Sequence, residues 1–230
     1  MEKSVFITGG SRGLGFAFVE KFLNEGWKVY ATVRTSLDAE KIKQINTTQC
    51  FPIITDITSE DVQYEIISNI SKSTKIDVLI NNAGAGGNWN NFEKTSIGDV
   101  KKLLNVHCLG AMQVTQALFP YLSENALIIN ISSRFGSISK IASCELDHIN
   151  CSYSYKIAKS AQNMFTLSLS KEFNDTNRRI CSIHPGRLKT ASASKDADKK
   201  PSDAAEELYS KMDHFENGRF YDLFQGNLTW

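Results

Sequence analysis

No sign of charge dominates this chain: 26 Lys and Arg stand against 25 Asp and Glu, a formal net charge of +1 over 230 residues. No global field therefore draws it to nucleic acid or to an anionic membrane. Its five cysteines, Cys50, Cys108, Cys144, Cys151 and Cys181, form an odd set without a CxxC pair. That argues against a disulfide framework and against a zinc knuckle, and free thiols fit a reducing compartment. No stretch approaches the roughly 18 to 20 uninterrupted apolar residues that span a bilayer. The N-terminus lacks the shape of a signal peptide, since Met1-Glu2-Lys3 leads through only Ser4-Val5-Phe6-Ile7 into Thr8-Gly9-Gly10. The expectation is a soluble cytoplasmic protein. With 41% hydrophobic and 22% charged residues it can bury a full core.

What is present is an alternation. Short β-branched and aromatic runs at 5–8, 28–32, 50–54, 78–80, 127–131 and 180–183 are separated by helix-length amphipathic stretches. That pattern predicts βαβ units and a parallel sheet covered on both faces. Leu14, Phe18 and Phe22 repeat every four residues and build one apolar stripe that ends near Gly26, a helix C-cap. Residues 100–122 and 155–173 show helical periodicity over greater lengths. Their apolar positions are Leu103, Leu104, Val106 and Leu109 in the first and Ala158, Ala161, Met164, Phe165 and Leu169 in the second. There is no internal repeat and no linker before Thr190. The chain reads as α/β, a doubly wound (Rossmann) parallel sheet in a single domain over 1–230, with 191–230 as a substrate loop and C-terminal segment. The run ASASKDADKKP at 191–201 is small, polar and charged, a composition that predicts a mobile loop and a candidate lid.

The first chemical signal is Thr8-Gly9-Gly10-Ser11-Arg12-Gly13-Leu14-Gly15 between a strand and an apolar-periodic helix. Glycines let the backbone turn tightly and approach a pyrophosphate, and the helix N-terminus offers unpaired N–H groups. A strict GxGxxG is absent, because the glycines fall at 9, 10, 13 and 15. Sites of this type place an acid about 20 residues on, at the end of the second strand, to hold a ribose hydroxyl. Here that strand ends Thr32-Val33-Arg34, with no carboxylate before Asp38. Arg34 and Arg12 can instead clamp a 2′-phosphate through planar bidentate contacts, which favours NADP over NAD.

The second signal is Tyr155 and Lys159, four apart and so on one helix face. An ammonium at roughly 4 Å and an effective dielectric near 20 supplies about 4 kcal/mol. That is enough to lower a tyrosine pKa by about three units at most. Ser132-Ser133 ends one expected strand and Asn81-Asn82-Ala83-Gly84 follows another. Ligand-contacting residues gather at such carboxyl ends, so the glycine loop, NNAG and Ser133 should line one crevice.

On these motifs the chain resembles the short-chain dehydrogenase/reductase (SDR) family over nearly its whole length. TGGSRGLG fits the family's TGxxxGxG at Thr8, Gly9, Gly13 and Gly15, with Ser11, Arg12 and Leu14 in the same loop. The resemblance implies that Asp56, followed by Ile57, meets the adenine ring, and that Asn82, Ala83 and Gly84 belong to the cofactor site. It implies that Asn105 positions a water for proton relay, that Ser133, Tyr155 and Lys159 are catalytic, and that Pro185, Gly186 and Thr190 contact the nicotinamide amide. Gly136-Ser137-Ile138, Leu188-Lys189-Thr190 and Phe220, Gly226 and Trp230 are similar to the carbonyl-reductase-like or C-factor (sniffer-like) branch. The family's pattern departs at Ala158, often serine, at Arg187 after Pro185-Gly186, and in the long segment between Ser133 and Tyr155. The last two lie where substrate would enter. The implied reaction is hydride transfer between NADP(H) and a carbonyl or alcohol, with Tyr155 as general acid/base, in a homodimer or homotetramer formed through the two long helices. The alternatives are a non-catalytic NADP(H)-sensing regulatory protein on the same fold, an NAD-preferring dehydrogenase, or nucleotide-sugar or acyl-carrier substrates within the same class.

Cys144, His148 and Cys151 with Glu145 and Asp147 have a composition that can hold a metal, but their spacing matches no metal motif, and a polar loop over a cleft accounts for them. The site is read without a metal. Trp89 is a rim candidate for substrate contact, and His107-Cys108 is assigned to core packing. The sequon Asn130-Ile131-Ser132 lies in an expected core strand and is discounted.

Overall fold

The computed structural model describes residues 2–88, 90–189 and 197–230. Its first half alternates β1 (Ser4–Ile7), α1 (Gly13–Asn24), β2 (Lys28–Val33), α2 (Ser36–Lys43), β3 (Cys50–Ile54), α3 (Val62–Ser68) and β4 (Ile76–Asn81). The second half runs α4 (Ile97–Leu104), a π-helical turn (Asn105–Leu109), α5 (Gly110–Leu118), β5 (Leu122–Ile131), α6 (Ile138–Ala142), α7 (Tyr153–Glu172) and β6 (Arg179–His184). It closes with α8 (Pro201–Lys211), β7 (Arg219–Asp222) and β8 (Gly226–Leu228). One sheet carries the order β3-β2-β1-β4-β5-β6-β7-β8, parallel throughout except for the antiparallel β7–β8 pair. The chain winds outward from β1 to β3, then returns to the other side of β1 as β4. That reversal opens the crevice of a doubly wound sheet at the carboxyl ends of β1 and β4.

Successive strand residues point to opposite faces, and both faces are covered, which is why the strands are apolar along most of their length. Val5 and Ile7 of β1 join Phe18 and Phe22 of α1, Ile42 of α2 and Leu208 of α8 in one core. Phe6, between them, packs on the opposite side with Ile66 of α3, Val114 of α5 and Leu169 of α7. The expected stripe of α1 is realised, and Gly26 follows the helix with φ +78, the left-handed conformation that a glycine adopts without strain. Phe22 is fully buried, its ring edge-on to Trp27 at 5.1 Å and to Tyr209 at 5.3 Å. Phe22→Ala should cost about 3 to 5 kcal/mol of unfolding free energy. Urea denaturation followed by tryptophan fluorescence measures it, and a loss below 1 kcal/mol would show that the neighbouring rings collapse into the gap.

Two expectations are corrected. The stretch 100–122 is not one helix: α4 starts earlier, at Ile97, the π turn interrupts it, and Leu122 already belongs to β5. One extra residue in a turn rotates the following face by about 100°. Leu103 is therefore buried while Leu109 is exposed, with Leu104 and Val106 between. In α7, Ala158 and Leu169 face inward, but Ala161 and Phe165 are half-buried and Met164 is 58% exposed. The buried face is mostly polar, carrying Lys159, Gln162, Asn163, Thr166 and Ser170, because it meets polar rungs of the sheet. Asn81, Asn130 and Ser182 lie in register on β4, β5 and β6, joined by Asn81 Nδ2 donating to Asn130 Oδ1 at 2.8 Å. Asn130 Nδ2 donates to Thr166 Oγ1 at 2.8 Å, and Thr166 Oγ1 lies 2.8 Å from Ser182 Oγ.

The C-terminal segment, to which the sequence reading assigned no elements, is structured after Pro201. Residues 190–196, and with them most of the expected lid and Thr190, lie outside the described residues, as does Trp89. From Pro201 onward the chain forms α8 and two further strands that extend the sheet. Phe220 of β7 is buried and stacks on Trp230 at 5.3 Å, and the Trp230 carbonyl accepts a hydrogen bond from Ser139 N at 2.9 Å. The tail thus ties the last strands to α6.

Candidate active site

The turn after β1 is held by Thr8, whose hydroxyl accepts from the backbone N–H of Asn82 and of Ala83, both at 2.9 Å. Asn82 Nδ2 returns bonds to the carbonyls of Thr8 (3.0 Å) and Gly9 (3.3 Å). The glycine loop and NNAG are therefore one unit. A methyl group at Gly15 would collide with the Gly9 carbonyl and stand 2.5 Å from Asn82 Nδ2, so only glycine lets α1 come this close. Gly9 and Gly13 take left-handed φ values of +72 and +57. Arg12 occupies the N-cap position of α1, but no side chain caps the helix and its first turn carries no acid. The backbone donors of this first turn thus have no side-chain acceptor and no acid within the turn, the arrangement that receives a phosphate.

Arg12 and Arg34 are both exposed next to this loop. The next carboxylate along the chain, Asp38, is engaged in capping α2, where Thr35 Oγ1 donates to its Oδ2 at 2.9 Å and accepts from its N–H at 3.1 Å. The sequence reading missed Lys41: its Nζ reaches the Ser11 carbonyl at 3.4 Å and lies 4.6 Å from the centre of the Phe16 ring. A third cation therefore borders the turn that carries Arg12. Asp56 Oδ1 accepts from the N–H of Thr58 at 2.9 Å and from its hydroxyl at 2.7 Å, and these bonds, with the charge of Arg34, hold the carboxyl below its usual range. Ile57 is buried against Gly110, where a Cβ would come within 2.9 Å of its side chain.

At the end of β5, Ser133 is buried, and its hydroxyl accepts from Phe135 N at 3.3 Å and is hydrogen-bonded to Tyr155. Ser152 caps α7 by accepting from Tyr155 N at 3.2 Å, which sets where Tyr155 enters the helix. Lys159, one turn later, is 4% exposed. Its Nζ donates to the Ile131 carbonyl at 2.6 Å and to Gln162 Oε1 at 3.0 Å, and lies 5.8 Å from the Tyr155 ring centre. The expected lowering of the tyrosine pKa is not realised here. Burial pushes Tyr155 up to about 12, against which the Ser133 bond works, and burial pulls Lys159 down to about 7. The ammonium is turned toward the strand end rather than toward the phenol.

Asn105 opens the π turn, and its backbone carbonyl accepts from Gly110 N, five residues on. The same turn carries His107, assigned above to packing. The ring is indeed buried, but it stands edge-on to Tyr155 at 5.4 Å, with Nε2 2.9 Å from the Ala85 carbonyl oxygen. Burial pushes its pKa down to about 3, so it stays neutral. Nothing in the residue spacing marked it, because the π turn is what aims the side chain at the tyrosine. Pro185 and Gly186 follow β6, and Gly186 at φ +86 sits against Phe224. Among the described residues no three His, Cys, Asp or Glu side chains are grouped to hold a metal, and no helix is long and apolar enough to cross a membrane. The five cysteines are free, and Cys144 has φ +60.

The crevice thus joins an uncapped helix terminus, an asparagine-anchored second turn and a serine, tyrosine and lysine at the next strand end. The sequence profile of the short chain dehydrogenases matches residues 3–201. The chain belongs to the short-chain dehydrogenase family. A probable short-chain type dehydrogenase/reductase, VdlC of Helicobacter pylori, is 33% identical over 187 residues, covering 80% of this chain and 64% of that protein. The chain thus spans just under two thirds of that relative's length. The C-signal protein of Myxococcus xanthus is 28% identical over 160 residues, covering 67% of this chain and 93% of its own. The NADPH-bound carbonyl reductase from chicken fatty liver superimposes with a TM-score of 0.89 at 22% identity, covering 100% of this chain and 99% of that one. That superposition extends over the C-terminal strands, which lie beyond the residues the profile matches.

Proposed function

We propose that this oxidoreductase uses NADP(H) to reduce a carbonyl compound or oxidise the corresponding alcohol. The observation that carries the reading is the uncapped, acid-free N-terminus of α1 lying at the same sheet edge as Ser133, Tyr155 and Lys159. The residues present fit the cofactor. The backbone from Gly9 to Gly15 would hold the pyrophosphate, with Thr8, Ser11 and Leu14 shaping the turn. Arg12 and Arg34, with Lys41 beside them, would hold the 2′-phosphate, and Asp56 and Ile57 the adenine. Asn82, Ala83 and Gly84 with Lys159, Tyr155, Pro185, Gly186 and Thr190 would line the nicotinamide half. NADPH bound to a similar carbonyl reductase supports the same choice.

When bound, the cofactor supplies the hydride. The chain supplies the proton and the setting. Tyr155 Oη holds the proton for the substrate oxygen, a general-acid role that typically contributes 10² to 10⁴ in rate. Ser133 donates to the same oxygen as negative charge develops there. Lys159 would bind the ribose and, with its ammonium facing the phenol, would lower the phenol's pKa, and Asn105 in the π turn would connect Lys159 to water for reprotonation. Exposed Ile97 on α4 and Ile157 and Met164 on α7 support a homodimer or homotetramer through those helices, which light scattering on the purified protein would read directly. Five free thiols support a cytoplasmic setting.

The test is calorimetric titration with NADPH and NADH side by side, followed by a panel of carbonyl compounds. Tight NADPH binding with weak NADH binding and turnover of at least one carbonyl is expected. Binding without turnover of any compound would favour a cofactor sensor, and binding of neither nucleotide would remove the reading.

A further inference from the structure

Lys159 places an amine where almost no water reaches it. Burial favours the neutral amine, and two oxygens oppose that: the Ile131 carbonyl and Gln162 Oε1. The two differ in origin. Any residue at 131 presents a backbone carbonyl, whereas the second oxygen exists only because glutamine stands at 162. Gln162 is 1% exposed, on a helix face where leucine fills a similar volume without polar atoms, and a buried amide costs free energy unless its bonds are made. Its place three residues after Lys159 brings both side chains to one side of α7.

We propose that Gln162 is a positioning residue of the reaction, its side-chain oxygen seating the Lys159 ammonium beside the end of β5 and favouring the charged form in which it would bind the ribose. The inference rests on the role given to Lys159 above. The groups facing Lys159 leave its titration isolated near neutrality. His107 from the π turn and His184 from β6 are pushed down by burial, and Tyr155 one turn earlier and Cys151 beside it are each pushed up to about 12. Arg134 after β5, Arg187 after β6 and Asp222 on β7 complete the charged surroundings on the far side of His184.

The experiment follows the Lys159 Cε resonance against pH in protein with ¹³C-labelled lysine, the signal assigned by its loss in Lys159→Met. NADPH affinity is measured by calorimetry at each pH. The wild-type midpoint is expected near 7. Gln162→Leu should lower it by about 1 to 2 pH units, the worth of a hydrogen bond to a charged group, and Gln162→Glu should raise it. NADPH affinity of the Leu variant should then be about tenfold weaker than wild type at pH 7 and equal to it near pH 5. Gln162→Met removes the same oxygen with a more adaptable side chain and replaces Leu if that variant does not fold. Coincident Lys159 midpoints in wild type and the apolar variants overturn the proposal, whatever happens to thermal stability. A shifted midpoint with pH-independent NADPH affinity overturns instead the cofactor role of Lys159, and failure of wild type to bind NADPH removes the enzyme reading as a whole.

Discussion

Tyr155→Phe is expected to lower carbonyl reduction by about 10² to 10⁴-fold or more while leaving NADPH affinity nearly unchanged. The substitution removes one oxygen and leaves the ring that packs edge-on against His107, so the crevice keeps its shape. What disappears is the proton on Oη and its bond to Ser133. With burial pushing the phenol up to about 12, Tyr155 is protonated across the neutral range, the form that reduction needs. At saturating NADPH, reduction should therefore hold level through neutrality and fall as pH rises toward the phenol's pKa. Alcohol oxidation needs the phenolate and should climb over the same interval. Movement of the Lys159 ammonium from Ile131 and Gln162 toward the phenol lowers the pH at which both limbs turn. Steady-state rates of the two directions from pH 6 to 10 read this out, and turnover surviving in the Phe variant would place the acid elsewhere.

The second large effect concerns the cofactor. Arg34→Ala should weaken NADPH by about 10 to 100-fold, the worth of a charge-assisted hydrogen bond, and leave NADH nearly unchanged. Arg34 is exposed at the end of β2, where it acts on Asp56, and Asp38 is held at the N-terminus of α2. Asp38 is thus drawn to the helix it caps, and Asp56 stands under the charge of Arg34. Because the contact is ionic and solvent-exposed, the NADPH preference should also shrink as salt rises. Calorimetry with both nucleotides at low and high salt decides it; equal losses for NADPH and NADH in the variant would refute the clamp.

Much of the site was legible in the residues because its parts are local. A glycine turn opening a helix needs only glycines at 9, 13 and 15, and Tyr155 and Lys159 share a face wherever residues 153–172 are helical. The strands of the parallel core announced themselves because burial on both sides makes them mostly apolar. The last two strands did not, being four and three residues long and edged by Arg219, Asp222 and Gly226. The polar inner face of α7 was equally hidden, since periodicity counts apolar residues and this helix buries Asn163 and Thr166 against the polar side chains of β5 and β6.

The sequence by itself determined the fold class, the crevice at the strand ends and the residue types that gather there, because each follows from short-range spacing and the demand that apolar faces be buried. Only the tertiary structure decided where the charges and rings point. It turned Lys159 toward Ile131 and Gln162, set His107 against Tyr155 through one π turn and brought Lys41 beside the Arg12 loop. Those outcomes depend on contacts between elements far apart in the chain. A buried amine or phenol takes its chemistry from whichever groups the packing leaves within reach.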